Sequence, residues 1–450
     1  MYKILKNNKV QLLLLSIILL LILLGSGKTN RVMARGETYE KLSVFAEVLE
    51  KIENLYVEEV KPEELISGAI NGMFRTLDPH SSFLPPDYYR EIQIDTEGEF
   101  GGLGIEITIK DDILTVISPI EDTPAFKAGI KAGDRIIKVN GEPTRDMTLM
   151  EAVKKMRGPT GTSVVITIMR DGLESLQDYT IAREIIKIKS VKYKTIDDLG
   201  YIRISSFKKT TDQDLDKALW DLKEKGVTGL ILDLRSNPGG LLDQAVSVSG
   251  KFLDKGKLIV YTKGRTEEQN MEFVTKEEKN DLPLIVLTNA GSASASEIVA
   301  GALQDHKRAL ILGTQTFGKG SVQVVIPLSD GSALRLTTAR YYTPKGRIIQ
   351  EKGIIPDIIV ENEPMIKEDP LSKTKINIIR EKDLKRHLKG KEEEDIKIDS
   401  GDQKIEDDES PEERDSLGIK GDNQLERAVS ILKGVKIFQE NMRSLKEKNS

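Results

Sequence analysis

The chain has 450 residues, a net charge of −5 and 31% charged residues. That length allows two or three domains and at least one large core, and so even a charge balance argues against a nucleic-acid footprint over the whole chain. With no cysteine, thiol nucleophiles, thiolate metal sites and disulfides are excluded. The three histidines, His80, His306 and His387, leave few choices of histidine base.

Lys3, Lys6 and Lys9 precede an apolar run from Val10 to Leu24. A basic start followed by such a run reads as an export signal or a signal-anchor. The run is short against the roughly 20 residues that span a bilayer core. Val32-Met33-Ala34 offers only a poor cleavage site between Arg31 and Arg35. The expectation is an extracytoplasmic protein, membrane-anchored through this segment, or secreted if the signal is cleaved. The lysines favour a cytoplasmic N-terminus.

Residues 36–95 read as a helical region. Phe45, Val48, Leu49, Ile52 and Leu55 share one helical face, and Pro62 can start a second helix carrying Leu65, Ile66, Ala69, Ile70 and Met73. The stretch LDPHSSFLPPDYY, with three prolines, then breaks the pattern. His80 lies beside Ser81 and Ser82 there, but adjacency in sequence does not make a nucleophile–base geometry, so it is not taken as a base.

From about residue 96 to 184 short strands alternate with tight turns. Ile105, Ile107 and Ile109 alternate with polar residues, Asp111-Asp112 marks a turn, Asn140-Gly141 ends another strand, and Leu149 to Met156 is a short helix. Together with Gly101-Gly102-Leu103-Gly104, AGIKAGDRIIKVNG and the helix before Arg157-Gly158, the order resembles a PDZ domain of the circularly permuted bacterial type. The glycines allow successive N–H groups to converge on an anion such as a terminal carboxylate. An extended peptide would then add as a strand beside Ile105, between strand Ile105–Ile109 and helix Leu149–Val153, with an apolar pocket for its last side chain.

From 185 to 365 strands alternate with helices, an α/β pattern. Asp212 to Lys225 and Leu241 to Gly250 read as helices; Gly229 to Arg235 and Leu284 to Leu287 read as buried strands. Asn237-Pro238-Gly239-Gly240 and Asn289–Ser296 are both strand-end loops, so they can meet in space. Residues 366–450 read as a charged linker, acidic from Lys391 to Asp415, followed by a helix from Leu425 to Phe438 that docks on its own chain or on a second subunit. The scattered carboxylates form no chelating pattern, and no metal or other cofactor is implied.

The chemistry concentrates between Asn289 and Gln323. Gly313 to Lys319 matches G-x-x-x-x-G-K, but Gly320 stands where a phosphate loop needs Ser or Thr, and a strand pattern follows instead of a helix. His306 is twelve residues beyond Ser294 on the same expected helix, about 18 Å away and out of a base's reach. A serine activated by Lys319 remains, with desolvation lowering the lysine's proton affinity. Gln323, on the same face of a regular strand, could accept a hydrogen bond from the amine. The serines sit at a helix start, where free N–H groups can support an oxyanion. Spacing alone leaves Ser292, Ser294 and Ser296 open, since serines there also cap helices.

NAGSASASEIVAGALQD followed by GTQTFGKGSVQ, with LDPHSSFL, LRSNPGGLL and GIIPDI, resembles the C-terminal processing (tail-specific) serine peptidases, from about Tyr39 to Asp357. The resemblance implies an α/β (α+β) multidomain chain, with a PDZ domain inserted before a ClpP/crotonase-like peptidase core and helical N- and C-terminal segments. It implies Ser294 as nucleophile, Lys319 as general base, Gln323 as its orienting partner, Gly239, Gly240 and the N–H of Ala295 as oxyanion hole, and supporting parts for Asp305, Glu297 and Thr316. It also points to Arg157 as a link through which the PDZ domain gates activity. Substrates would be proteins with free apolar C-termini, and a homodimer through the terminal helices is possible by analogy. The alternative is a non-catalytic PDZ scaffold or chaperone on a degenerate protease fold.

Overall fold

The structure is a computed structural model that describes residues 39–361 (except 171, 173–174 and 277–279), 379–390 and 421–448. The apolar run Val10–Leu24, the Val32–Ala34 site and the acidic stretch Lys391–Asp415 lie outside the described residues. No helix among the described residues is long and apolar enough to cross a membrane.

Two compact units divide at Leu77 and Asp78. In the first, helix α1 spans residues 39–55 and α2 spans Pro62–Phe74. Pro62 opens α2, where its missing N–H costs nothing, with Glu63 and Glu64 in the first turn. The apolar periodicity predicts both helices, but Phe45, Val48, Ile52, Leu55, Ile66 and Met73 are exposed.

The second unit begins where prolines break the helical periodicity. Ser82–Leu84 is strand β1, and Pro86–Glu97 is helix α3, started by Pro86 and ended by Gly98 in the left-handed conformation. Strand β2 (Glu99–Gly102) leads into a PDZ sheet of β3 (Ile105–Lys110), β4 (Ile113–Pro119), β5 (Arg135–Val139), β6 (Glu142–Pro143), β7 (Ser163–Met169) and β8 (Gln177–Ala182). The short helix α4 (Pro124–Lys127) follows β4, and helix α5 (Leu149–Met156) lies against the sheet, started by a Thr148–Glu151 capping box. Leu114, Val116, Ile136, Val139, Ile166 and Ile168 form its core. The exit strand β9 (Glu184–Lys187) pairs antiparallel with the entry strand β2. The PDZ region is therefore held at both ends by one two-stranded ribbon.

The core sheet runs β10 (Val191–Ile196), β11 (Leu199–Ile204), β12 (Gly229–Asp233), β15 (Leu284–Thr288), β16 (Leu310–Gly313), β19 (Ile358–Ile359), all parallel from β11 onward. The strands GLILD and LIVLT are buried along their whole length because both faces are covered. Leu230, Leu232 and Val286 face a cluster shared with helices α6 (Thr211–Glu224), α7 (Leu242–Gly250) and α8 (Ala295–Asp305). The alternate residues Ile231, Ile285 and Leu287 face Leu425, Ala428 and Leu432 of helix α9 (Asn423–Lys448). The C-terminal helix thus docks on its own chain and is longer than its apolar pattern. A second sheet joins β1, β18 (Ala333–Tyr342), β13 (Leu258–Gly264) and β14 (Glu272–Val274), with β17 (Ser321–Pro327) on β18. Because β1 pairs with β18, chain on both sides of the PDZ region contributes to the peptidase core; residues 78–84 belong to that core rather than to a helical N-terminal region.

Candidate active site

β12 and β15 are neighbours in the sheet, so the loops leaving their C-terminal ends meet. They are stitched together: Ser236 N–H donates to Asn289 Oδ1 at 2.8 Å, and Ala293 N–H to the Asn237 carbonyl at 3.0 Å. Two of the three serines are part of that stitching. Buried Ser292 donates its hydroxyl to the Leu234 carbonyl at 2.8 Å, and buried Ser296 to the Asn237 carbonyl at 2.9 Å. Ser294 differs. It is half-buried, its hydroxyl donates to no group among the described residues, and its backbone has φ 54° and ψ −111°. A non-glycine residue at positive φ is held there only by surrounding contacts.

Gly239 packs against that serine. A Cβ on it would stand 2.9 Å from Ser294 Cβ and 3.0 Å from Ala295 N, and its φ is +103°. Its own N–H is taken by Asn237 Oδ1 at 2.9 Å. Gly239 is therefore not a free donor; its part is to let the two loops approach. The N–H groups of Gly240 and Ala295 have no acceptor among the described residues. Gly240 is placed by Phe207, whose N–H donates to the Gly239 carbonyl at 2.9 Å and whose carbonyl accepts from Leu241 N–H at 2.9 Å.

The lysine arrives from the loop between β16 and β17. Glu297, on the first turn of α8 and fully buried, joins this loop to the serine. Its Oε2 accepts from Ser294 N–H at 2.8 Å and from Lys319 N–H at 2.9 Å; its Oε1 accepts from Thr316 Oγ1 at 2.5 Å and Gly318 N–H at 2.7 Å. The backbone nitrogens of Ser294 and Lys319 thus share one acceptor atom. Burial pushes the Glu297 carboxyl up to about 7, against four donors that pull it down. Lys319 is half-buried, and among the described residues nothing hydrogen-bonds its amine. Burial lowers its proton affinity and Arg335 lowers it further; Glu381, Glu297 and Asp78 oppose them.

Gln323 lies on β17, and among the described residues its amide nitrogen bonds neighbours other than Lys319. A bulge falls between Val322 and Gln323, and its Nε2 donates to Ser321 Oγ at 2.9 Å and Thr337 Oγ1 at 3.3 Å. The residue left over in the register is Thr338 on β18, so β17 itself keeps its alternation, with Ser321 and Gln323 on one face. Asp305 sits at the far end of α8, bonded to Lys345 N–H at 2.9 Å and to Arg347. It braces the helix end, away from Ser294. His306 caps α8, with Nε2 on the Leu258 carbonyl at 2.7 Å, and His80 pairs with Glu381 at 2.8 Å. Neither histidine faces the serine loop through a hydrogen bond. The phosphate-loop reading fails structurally as well, since Lys319 leads into β17 and not into a helix.

In the PDZ region Gly104 has φ +77°, and a Cβ there would collide with Thr123 at 2.3 Å. The N–H groups of Leu103 and Gly104 have no acceptor among the described residues, while Leu103 itself is buried. Gly101 accepts from Gly158 N–H through its carbonyl at 3.0 Å and lies with Gly102 in the β2–β9 ribbon. Ile105 begins β3, facing α5 across the groove. Arg157, at the end of α5, pairs with Glu91 of α3 and stacks over the Phe100 ring at 4.2 Å. The same α3 is tied to the core by Lys208–Asp95 at 2.9 Å and Lys209–Glu97 at 2.7 Å.

One participant escaped sequence reading. Glu381, in the stretch expected to be linker, is fully buried beside the lysine loop. Its neighbours in sequence are charged and carry no motif, so no local signal marks it.

Comparison with known proteins shows the family. Residues 198–360 match "Peptidase family S41", residues 91–169 match "PDZ domain", and residues 25–87 match "Activating protease CtpB N-terminal domain". A carboxy-terminal-processing protease of Bartonella bacilliformis is 50% identical over 364 residues, covering 80% of this chain and 83% of that protein. The carboxy-terminal processing protease CtpA of Bacillus subtilis is 39% identical over 314 residues, covering 69% of this chain and 67% of its own. Among solved structures, a photosystem II D1 C-terminal processing protease is 31% identical, covering 70% of this chain and 92% of that chain with a TM-score of 0.42. This chain belongs to peptidase family S41 as a PDZ-containing carboxy-terminal-processing serine peptidase.

Proposed function

We propose that this peptidase is exported, takes the free apolar C-terminus of a protein substrate in its PDZ groove, and cuts the chain with a Ser294–Lys319 dyad. The observation that carries the dyad is the contrast among the serines. Ser292 and Ser296 commit their hydroxyls to the scaffold, while the Ser294 hydroxyl donates to no group, and the Gly240 and Ala295 N–H groups have no acceptor, among the described residues. Ser294 Oγ attacks the peptide carbonyl as the neutral Lys319 amine takes its proton. Gly240 and Ala295 N–H groups stabilise the oxyanion, and the lysine returns the proton to the leaving amine. Water then attacks the acyl-enzyme ester and releases the serine. Glu297 holds nucleophile and base loops in register, with Thr316 fixing its carboxylate. Gln323 enters this reading through the Ser321–Thr337 network, as a brace of the strand that follows the base.

In the groove, the free N–H groups of Leu103 and Gly104 suit a terminal carboxylate, and Ile105, Ile107, Leu149 and Val153 supply an apolar pocket. Gating through Arg157 is supported by the ties from α5 to α3 and from α3 to Lys208, next to the Phe207 that holds Gly240. Export and anchoring rest on the basic, then apolar N-terminus, and a homodimer through the terminal helices rests on exposed Ile437, Phe438 and Met442 of α9. The test is cleavage of a polypeptide with an apolar C-terminus, beside the same polypeptide ending in Asp or Lys. Equal cleavage of both removes the tail-recognition part; cleavage by Ser294→Ala removes the dyad.

A further inference from the structure

The lysine loop is braced from outside the matched peptidase region. Glu381 has no exposed surface. Its carboxylate accepts from His80 Nε2 at 2.8 Å through either oxygen and from Gln350 Nε2 at 2.8 Å. Gln350 is itself buried, and its Oε1 accepts from Gly320 N–H at 3.0 Å. The main-chain N–H of Glu381 donates to the Phe317 carbonyl at 3.2 Å, and Glu351 N–H donates to the Gly318 carbonyl at 2.8 Å. Both flanks of Gly318-Lys319-Gly320 are therefore held by groups that Glu381 either carries or orients. The loop has no slack: a Cβ at Gly320 would stand 2.3 Å from Gln350 N. Neighbouring contacts keep the 379–390 segment in place, with Arg380 on Gln315 Oε1 and Gly390 N–H on Glu351 Oε2 at 2.9 Å.

We propose that Glu381 is a positioning residue for Lys319, and that residues 379–390 are part of the active-site architecture rather than of a linker. The inference rests on Lys319 being the base. A buried carboxylate needs hydrogen bonds; Glu381 has them from His80 and Gln350, and its charge acts on Lys319 and His387 in the direction that favours their protons. Around the amine, Arg335 on β18 disfavours the proton, while Glu297 on α8, Asp78 before β1 and Glu381 favour it. Glu381 is thus in a position both to hold the loop and to set how readily the amine loses its proton.

Glu381→Gln keeps the shape and removes the charge. The acid limb of the kcat/KM pH profile reports the free enzyme's base. It is expected to move toward acid by about half a unit to one unit, with KM within about twofold. A limb that stays at the wild-type position overturns the proposal, whatever kcat does. Should that variant not fold, Gln350→Ala reads the link from the loop side: a kcat about tenfold lower at unchanged KM is expected, and wild-type kcat overturns it. Lys319→Ala, assayed in parallel, separates the two levels. Turnover by it means the base assignment has failed; an inactive Lys319→Ala with an unmoved Glu381→Gln limb refutes the Glu381 inference alone.

Discussion

The PDZ groove and the candidate peptidase site both carry N–H groups with no acceptor among the described residues, yet they are assembled over very different ranges of sequence. The PDZ donors Leu103 and Gly104, the strand that follows them and helix α5 fall within one stretch of the chain. The peptidase donors Gly240 and Ala295 come from separate loops, and the lysine and Glu381 from two more. Fixation differs in the same way. In the PDZ groove a left-handed glycine and a closed turn suffice to aim the amides. In the core, one buried carboxylate, Glu297, must hold groups from two loops at once. A site drawn from distant loops therefore depends on buried polar ties, each of which leaves unsatisfied partners when removed.

If that contrast is right, the core should be far less forgiving than the groove. The largest expected effect is from Ser294→Ala or Lys319→Ala, each lowering kcat on the order of a thousandfold or more while circular dichroism and peptide-tail binding stay as in the wild type. Loss of tail binding in those variants would show that groove and core are not separable. Burial and Arg335 lower the proton affinity of Lys319. Activity should therefore rise with pH along an acid limb well below an ordinary lysine's titration, and a limb at the ordinary lysine position would remove the desolvated base.

Gly239→Ala comes next. Its methyl group would meet Ser294 Cβ at 2.9 Å, so kcat should fall about a hundredfold with KM nearly unchanged. A mild effect would mean that the two loops can part without harm. On the PDZ side, Val153→Asp should raise KM for apolar-tailed substrates about tenfold and leave kcat within twofold; a loss in kcat instead would point to gating through Arg157. The smallest effect on turnover is expected from Leu432→Ala in α9. It should cost about 2–4 kcal/mol of stability by chemical denaturation and leave kcat alone, because its packing lies on the sheet face opposite α8.

Several features were decided by local chemistry and were legible in the sequence. Pro62 starts a helix where expected, Leu149–Met156 is helical as its pattern reads, Asn140-Gly141 turns with both residues at positive φ, and the largely apolar strands declare a sheet covered on both faces. The serine-bearing helix start and the lysine between glycines were visible too, as was the failure of the phosphate-loop pattern at Gly320. Only the tertiary structure could decide the rest. Three similar serines in one short run differ only in what their hydroxyls meet, and Leu234 and Asn237 come from another strand end. What the Gln323 amide meets depends on pairing with β18, which brings Thr337 to it. Ser82–Leu84 becomes a strand because β18 offers it an edge, and Glu381 becomes part of the lysine's surroundings because His80 and Gln350, remote in sequence, accompany it into the interior. Periodicity and turn chemistry are properties of neighbouring residues, whereas hydrogen-bond satisfaction and burial depend on which distant groups arrive.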